Sequence, residues 1–321
     1  MVAIIYSNPI DKRIRSDILA RSDLTRACIP IDRTNVGNRF PCIYTPIPSD
    51  YNTKLTFEEC MMLKAEEIWS YGKPVIMFWS GGLDSTAMYY ALRETQKNEL
   101  IVRGNNHSVE EYPKFIEMVN CHIVQDTDLI DRELIENRDY IKVTGDCGDQ
   151  LFGCKTGLSY NQTDPWEVLI HKWSIEKFNF WSEQIEHSPI PIETILDLYW
   201  WANFTMEYTP YDFVMTCCFG KTFSYDTTFA FYHSDDFQKW SITNHYSKYN
   251  GWKMPIRDMI AKYGDSDYAY NKGKRSSLLG GIHHEYKFDK DAIALIDTNG
   301  TMLRRHDNLK EYLNENFASY V

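Results

Sequence analysis

The sequence predicts an α/β fold, a parallel doubly wound sheet carrying a helical extension. Three observations lead there. Short apolar runs alternate with helical stretches between residues 74 and 144, a glycine-rich loop joins the first run to its helix, and beyond Asp164 the pattern turns helical and rich in Trp and Tyr. Strands that alternate with helices are joined by crossovers, and crossovers make neighbouring strands parallel.

Taken in order, Val2–Tyr6 reads as a strand, and a polar, Arg-rich stretch to Arg39 and a short apolar run at Pro41–Thr45 follow. Thr56–Tyr71 reads as an amphipathic helix, with Cys60, Met61, Leu63, Ile68 and Trp69 at helical spacing. Pro74–Trp79 is continuously apolar, as expected of a strand buried on both faces. Ser85–Thr95 is a helix, Glu99–Val102 a strand, and Ser108–Asn120 contains a helix, for which Ser108 and Glu111 suggest a capping box. His122–Gln125 (strand), Asp128–Asn137 (helix) and Tyr140–Thr144 (strand) complete the alternation. Helices are then expected near 165–187, 191–206, 209–219 and 227–240, with another over Pro255–Tyr263. Ala292–Asp297 and Thr301–Arg305 flank Asn299-Gly300, a hairpin signal, and Leu309–Phe317 fits a last amphipathic helix. The division that follows is 1–73, an N-terminal region; 74–163, the α/β core; 164–282, a helical part; and 283–321, the hairpin and helix.

The chain's 321 residues suit roughly two domains. A formal charge of −11 argues against a duplex nucleic-acid partner, whose phosphates need a basic face. No long apolar run marks a membrane span and no leader is evident, so a cytoplasmic compartment is expected, with the eight cysteines as reduced thiols. Charge is uneven: residues 156–246 carry 4 basic and 12 acidic side chains, whereas 248–275 carry 7 basic against 3 acidic. That island is either a solvated face or part of an anion site.

Ser80-Gly81-Gly82-Leu83-Asp84-Ser85-Thr86 lies directly between the first buried strand and its helix. Glycines admit close backbone approach, amides at a helix start point outward, and the helix dipole favours an anion. Ser80, Ser85 and Thr86 add hydroxyls. Asp84 repels a phosphate on its own, so its presence points to a bridging Mg²⁺. A second loop, Thr144-Gly145-Asp146-Cys147-Gly148-Asp149-Gln150-Leu151-Phe152-Gly153, follows the fourth strand, at the end of a parallel sheet where ligands gather. A third element is Lys253-Met254-Pro255-Ile256-Arg257, with Lys272-Gly273-Lys274 downstream.

The first loop resembles the pyrophosphate-binding signature of the PP-loop ATP pyrophosphatases. The second resembles the S-G-E-G-x-D-E-L-F-G-G loop in the synthetase domains of asparagine synthetase and β-lactam synthetase, and the third their K-x-x-L-R helix and R-x-K. The resemblance spans about Trp69 to Leu279. It implies a Rossmann-like, adenine nucleotide alpha hydrolase-like core with ATP and Mg²⁺ as cofactors. Ser80, Gly81, Gly82, Leu83, Asp84, Ser85, Thr86 and Gly145 would hold the nucleotide, and Asp84 and Asp149 would face the metal. Lys253 would neutralise departing pyrophosphate, Lys274 would stabilise charge at the α-phosphate, and Asp146 would meet the acyl-adenylate and its amine.

The activity implied is amide-bond formation: a carboxylate is activated as acyl-AMP, and an amine then displaces AMP. Since the chain starts Met1-Val2-Ala3, without the family's N-terminal Cys and glutaminase domain, the expected donor is not glutamine. Departures are Asp146 for Glu, Gln150 for the second acid, Cys154 for a glycine and Lys272 for Arg. Two alternatives remain at this level: a nucleobase-modifying enzyme of the same superfamily using Cys147 as a sulfur carrier, and a non-catalytic nucleotide-binding module. A homo-oligomer is left open.

Overall fold

The computed structural model describes residues 4–6, 33, 34, 36, 46–124, 137–153, 160–206, 208, 227–273, 293–296 and 302–306. The chain forms two compact units that interleave along the sequence: Asp50–Gly148 with Thr222–Lys287, and Met1–Ser49 with Asp149–Lys221 and Phe288–Val321.

The first of these is built on a five-stranded, all-parallel sheet. Its strands are β2 (Val75–Phe78), β3 (Leu100–Asn105), β4 (Cys121–Val124), β5 (Ile141–Thr144) and β6 (Thr228–Ala230), in the spatial order β4-β3-β2-β5-β6. The chain leaves β2 and steps outward to β3 and β4, then returns to the other side of β2 for β5 and β6. That reversal is the doubly wound arrangement the alternating pattern predicts. β2 and β5, side by side at the reversal, are buried at every residue, whereas β4 at the edge is not. Burial on both faces explains why β2 is continuously apolar.

α1 (Phe57–Ser70) opens with a complete capping box, in which Thr56 and Glu59 each satisfy the other's backbone amide. α2 (Leu83–Glu94) follows β2 and is buried along nearly its whole length, because α1 and α9 (Met254–Tyr263) both pack on it. The Trp69 indole ties α1 to α2 by donating to the Leu92 carbonyl at 3.0 Å.

Three elements depart from the sequence reading. The helix expected near 165–187 is divided into a 3-10 helix, Trp166–His171, and a separate helix, Ile175–Glu186, that restarts from an N-cap at Ser174. The region expected to be one helix over 227–240 begins with strand β6, and its helix, α8, runs Asp235–Thr243 from an N-cap at Ser234. Likewise the expected Ser108–Glu111 box gives way to one made by Asn105 and Ser108, which starts α3 (Asn106–Glu111); Pro113 then begins a separate turn, α4 (Pro113–Met118). Asn105 outcompetes Ser108 because its carboxamide reaches the third amide of the turn and the Ser108 hydroxyl together, both at 2.9 Å.

The second unit has an antiparallel sheet in which β1 (Ile4–Tyr6) pairs with β7 (Ile293–Ile296), and β7 with β8 (Met302–His306). β7 and β8 are the strands of the expected hairpin; its Asn299-Gly300 tip lies outside the described residues, as do most of Asp128–Asn137 and all of 209–219 and Leu309–Phe317. The helical part comprises a 3-10 helix (Trp166–His171), α6 (Ile175–Glu186) and α7 (Ile195–Met206). Trp166, Leu169, Phe180, Trp181, Leu198 and Tyr199 belong to its core. Arg33 reaches this unit's α7 by donating to the Phe204 carbonyl and lies 4.7 Å from the Phe204 ring centroid and 4.8 Å from that of Tyr208. No helix among the described residues is long and apolar enough to cross a membrane.

One buried charge stands apart. Lys142, in the middle of β5, is fully buried, and its ammonium donates to the Thr227 hydroxyl at 2.9 Å and to the Asn137 carbonyl. Burial, with the nearby cations Lys73 and Arg138, pulls its pKa from the ordinary 10.5 to about 8. The unfolded chain therefore binds more protons between about pH 8 and 10.5, so stability rises with pH across that window. Lys142→Met should raise stability at pH 7 by about 1–3 kcal/mol, read from urea unfolding, and should flatten the rise above pH 8.

Candidate functional site

In an open parallel sheet the loops after two neighbouring strands diverge where the winding reverses, and the crevice between them receives ligands. Here those strands are β2 and β5, so the two glycine-rich motifs emerge side by side at the reversal.

The first motif turns at Gly81, whose φ of 71° lies in the left-handed region. A Cβ there would sit 2.6 Å from the Glu111 Cβ and closer still to the Ser108 carbonyl, so only glycine fits. Gly82 is the N-cap of α2 and supplies no side-chain cap. The amides of the first helical turn have no carbonyl within the helix to bind, which leaves them to partners outside it. Around that helix start, the Ser80 amide donates to the Ser85 hydroxyl at 3.1 Å and the two serine hydroxyls lie 3.0 Å apart. Thr86 belongs to the layer beneath: it is fully buried and its hydroxyl accepts from the Trp79 indole at 3.1 Å.

The second motif packs directly on the first. A Cβ on Gly145 would meet the Ser85 amide at 2.9 Å, and one on Gly148 would meet the Asp84 carboxylate at 2.5 Å. The glycines of one loop thus make room for the helix start and acid of the other. Asp146 and Cys147 form the turn between them. Cys147 is buried and holds a φ of 71°. Asp149 is the second residue of α5 (Gly148–Phe152) and belongs with the remaining chain of the other unit.

Lys253 is brought to the same place from 169 residues away, its ammonium donating to the Asp84 carboxylate at 2.5 Å. The lysine side chain is 2% exposed and the aspartate 23%. Lys253 is the N-cap of α9 with a φ of 54°. Among the described residues, Cys147 and Lys253 are the non-glycine residues with positive φ. Left-handed backbone costs such a residue about 1–2 kcal/mol, and strain of this kind gathers at functional sites.

Of the residues singled out in the sequence, Ser80–Ser85, Gly145, Asp146 and Lys253 converge at the β2–β5 reversal. Lys272 is drawn to the wall of the site, where its ammonium donates to the Glu111 carbonyl at 3.1 Å and to the Glu111 carboxylate. Lys274 and Cys154 lie outside the described residues. Sequence reasoning did not single out Tyr232 and Tyr268, whose hydroxyls donate to the Asp84 carbonyl at 2.8 Å and the Gly81 carbonyl at 2.7 Å. Burial pushes the Tyr232 hydroxyl well above its ordinary pKa, so it stays a donor. A tyrosine that binds a backbone carbonyl leaves no signature in a chain with 22 of them.

The residues present fit a bound polyphosphate: an uncapped helix start, paired serine hydroxyls and a buried ammonium converge on one loop. Among the described residues no three His, Cys, Asp or Glu side chains gather as a resident metal centre. The chain matches no protein-family model and no curated protein.

Gly81→Ala should lower stability by more than about 2 kcal/mol, because it meets backbone and strained φ together. Gly82→Ala meets only the Ser80 hydroxyl, at 3.2 Å, and should cost under about 1 kcal/mol. Equal shifts of the urea midpoint in the two variants would contradict the loop geometry.

Proposed function

We propose that the chain is an ATP-dependent, AMP-forming carbon–nitrogen ligase that activates a carboxylate and joins it to an amine. The observation carrying this reading is the convergence of the uncapped start of α2, the Asp84–Lys253 pair and the Gly145–Asp146 turn at the β2–β5 reversal. It agrees with the resemblance to the PP-loop synthetases, residue by residue, at Ser80, Gly81, Gly82, Asp84, Ser85, Gly145 and Lys253.

In this reading the start of α2 and the Ser80 and Ser85 hydroxyls bind the β- and γ-phosphates of ATP, and Thr86 supports them from below. Asp84 would hold Mg²⁺, which when bound would neutralise phosphate oxygens and so ease departure of pyrophosphate. A carboxylate oxygen of the substrate attacks the α-phosphorus, and the bond from that phosphorus to the bridging oxygen breaks with its electron pair leaving on pyrophosphate. Lys253 sits beside Asp84 at 2.5 Å, suitably placed to turn its ammonium to that charge. The amine then attacks the acyl carbon, AMP departs with the electron pair of the C–O bond, and the nitrogen gives up a proton. Asp146, in the turn after β5, is the carboxylate that would receive it or orient the amine; by the resemblance alone, Lys274 would be the second cation at the α-phosphate.

The sulfur-transfer alternative is less well supported, since the Cys147 thiol it relies on is buried. In the leading reading, ATP–pyrophosphate exchange appears with Mg²⁺ and one class of carboxylate. Asp84→Ala should cut it at least about a hundredfold with unchanged circular dichroism. Full exchange in that variant, or ATP binding with no exchange across a broad carboxylate panel, sinks the ligase.

A further inference from the structure

The six-residue helix α10 (Ser266–Asn271) is too short to be stable by itself, yet it is secured on every side. At its start, the Asp265 carboxylate accepts from the amides of Asp267 and Tyr268 at 3.0 and 3.1 Å, and the Lys114 ammonium holds that carboxylate at 2.8 Å. Lys114, followed by burial-opposed backbone bonding, keeps the Asp265 carboxyl below the usual range, so it remains a charged acceptor. At its end, the buried Arg257 guanidinium donates to the carbonyls of Ala269 at 2.5 Å, Tyr270 at 3.1 Å and Lys272 at 2.9 Å. Its remaining nitrogen donates to the Trp252 carbonyl at 2.9 Å, next to Lys253. On its flank, the Tyr112 ring stacks on Tyr268 with centroids 3.6 Å apart and planes within 10°.

What this bracing delivers is one hydroxyl. Tyr268 donates to the Gly81 carbonyl at 2.7 Å, and Lys272 holds Glu111, whose Cβ walls the same glycine. The peptide between Gly81 and Gly82 joins two residues without side chains, so it can flip at little steric cost. In a planar trans peptide the carbonyl and the N–H point opposite ways. With the Gly81 carbonyl held by Tyr268, the Gly82 N–H is directed to the Ser80 hydroxyl side, at 3.4 Å. A flip would turn a carbonyl dipole into the anion cradle and oppose phosphate binding.

We infer that Tyr268 and Arg257 are positioning residues that act through α10 to keep the Gly81–Gly82 peptide in its anion-binding orientation. Neither needs to touch the ligand. Tyr268 makes the contact with the loop, and Arg257 keeps α10 where that contact is made. The inference takes its ligand from the nucleotide reading, but the loop orientation is testable without any nucleotide.

The experiment compares the full chain with Tyr268→Phe, Arg257→Lys and the double variant. Tyr268→Phe retains the ring stack, and Arg257→Lys retains the charge but cannot bridge several carbonyls. Amide hydrogen exchange of the ligand-free proteins should be about three- to tenfold faster at Gly82–Ser85 in each single variant, with β2 and β5 unaltered. The double variant should be no faster than the more affected single, because both act through one contact. Dissociation constants for ATP and for inorganic pyrophosphate should rise by a similar factor. Unchanged loop exchange in Tyr268→Phe, or additive effects in the double variant, overturns the inference. Loop exchange that follows this pattern in a chain binding neither ATP nor pyrophosphate upholds the strut and removes the nucleotide reading instead.

Discussion

Lys253 is 2% exposed, and where the buried Lys142 has only neutral partners, Lys253 faces a carboxylate, that of Asp84. Much of the site's architecture follows from that one pair. Removing either partner leaves a poorly solvated charge, so the late segment that carries Lys253 is bound to the early loop that carries Asp84. The constraint is tight enough that Lys253 accepts left-handed backbone at the start of α9. Tyr232 adds a hydroxyl to the Asp84 carbonyl, and Gly148 gives up a side chain so that the carboxylate has space. The acid is thus fixed through its backbone and through its side chain.

Much of the fold was legible in the sequence because the parallel core is written in local terms. β2 and its following loop are a continuous apolar run ended by two glycines, and β7 and β8 flank an Asn-Gly pair. β6 was not legible for the opposite reason. Thr228-Phe229-Ala230 is three residues long and becomes a strand only through parallel pairing with Lys142–Thr144 of β5. No local signal announces a partner so far away, and the neighbouring aromatic residues suit helical spacing equally well. The shift of the capping box from Ser108 to Asn105 has the same origin at smaller scale: several polar residues were eligible, and the end of β3 selected one.

The candidate site divides along the same line. Residues in compact motifs, from Ser80 to Ser85 and at Gly145, were legible because an anion cradle needs glycine, hydroxyl and helix start within a few positions. Their supports were not. Thr86 reads as another hydroxyl of the cradle but serves the Trp79 indole. Arg257 belongs to the Lys253–Arg257 motif, but its role has no sequence signature, since its partners are carbonyls and every residue has one. Glu111 read as half of a cap, yet its carboxylate receives Lys272. Supporting contacts are made between backbone and side chain across the fold, so composition and spacing carry little trace of them.

The small antiparallel sheet has a consequence for how the molecule is made. Ile4 pairs with Ile296, almost the whole chain away, and the central strand β7 is flanked by β1 on one side and β8 on the other. During vectorial synthesis β1 is made long before β7, the strand it pairs with. Throughout that interval it is an unpaired edge, open to the wrong strand of another nascent chain. The parallel sheet has its central pair far sooner, since β2, β3, β4 and β5 all lie within the first half of the sequence. The small sheet therefore cannot form until almost the whole stretch between β1 and β8 has been made, whereas four of the five parallel strands can pair well before that.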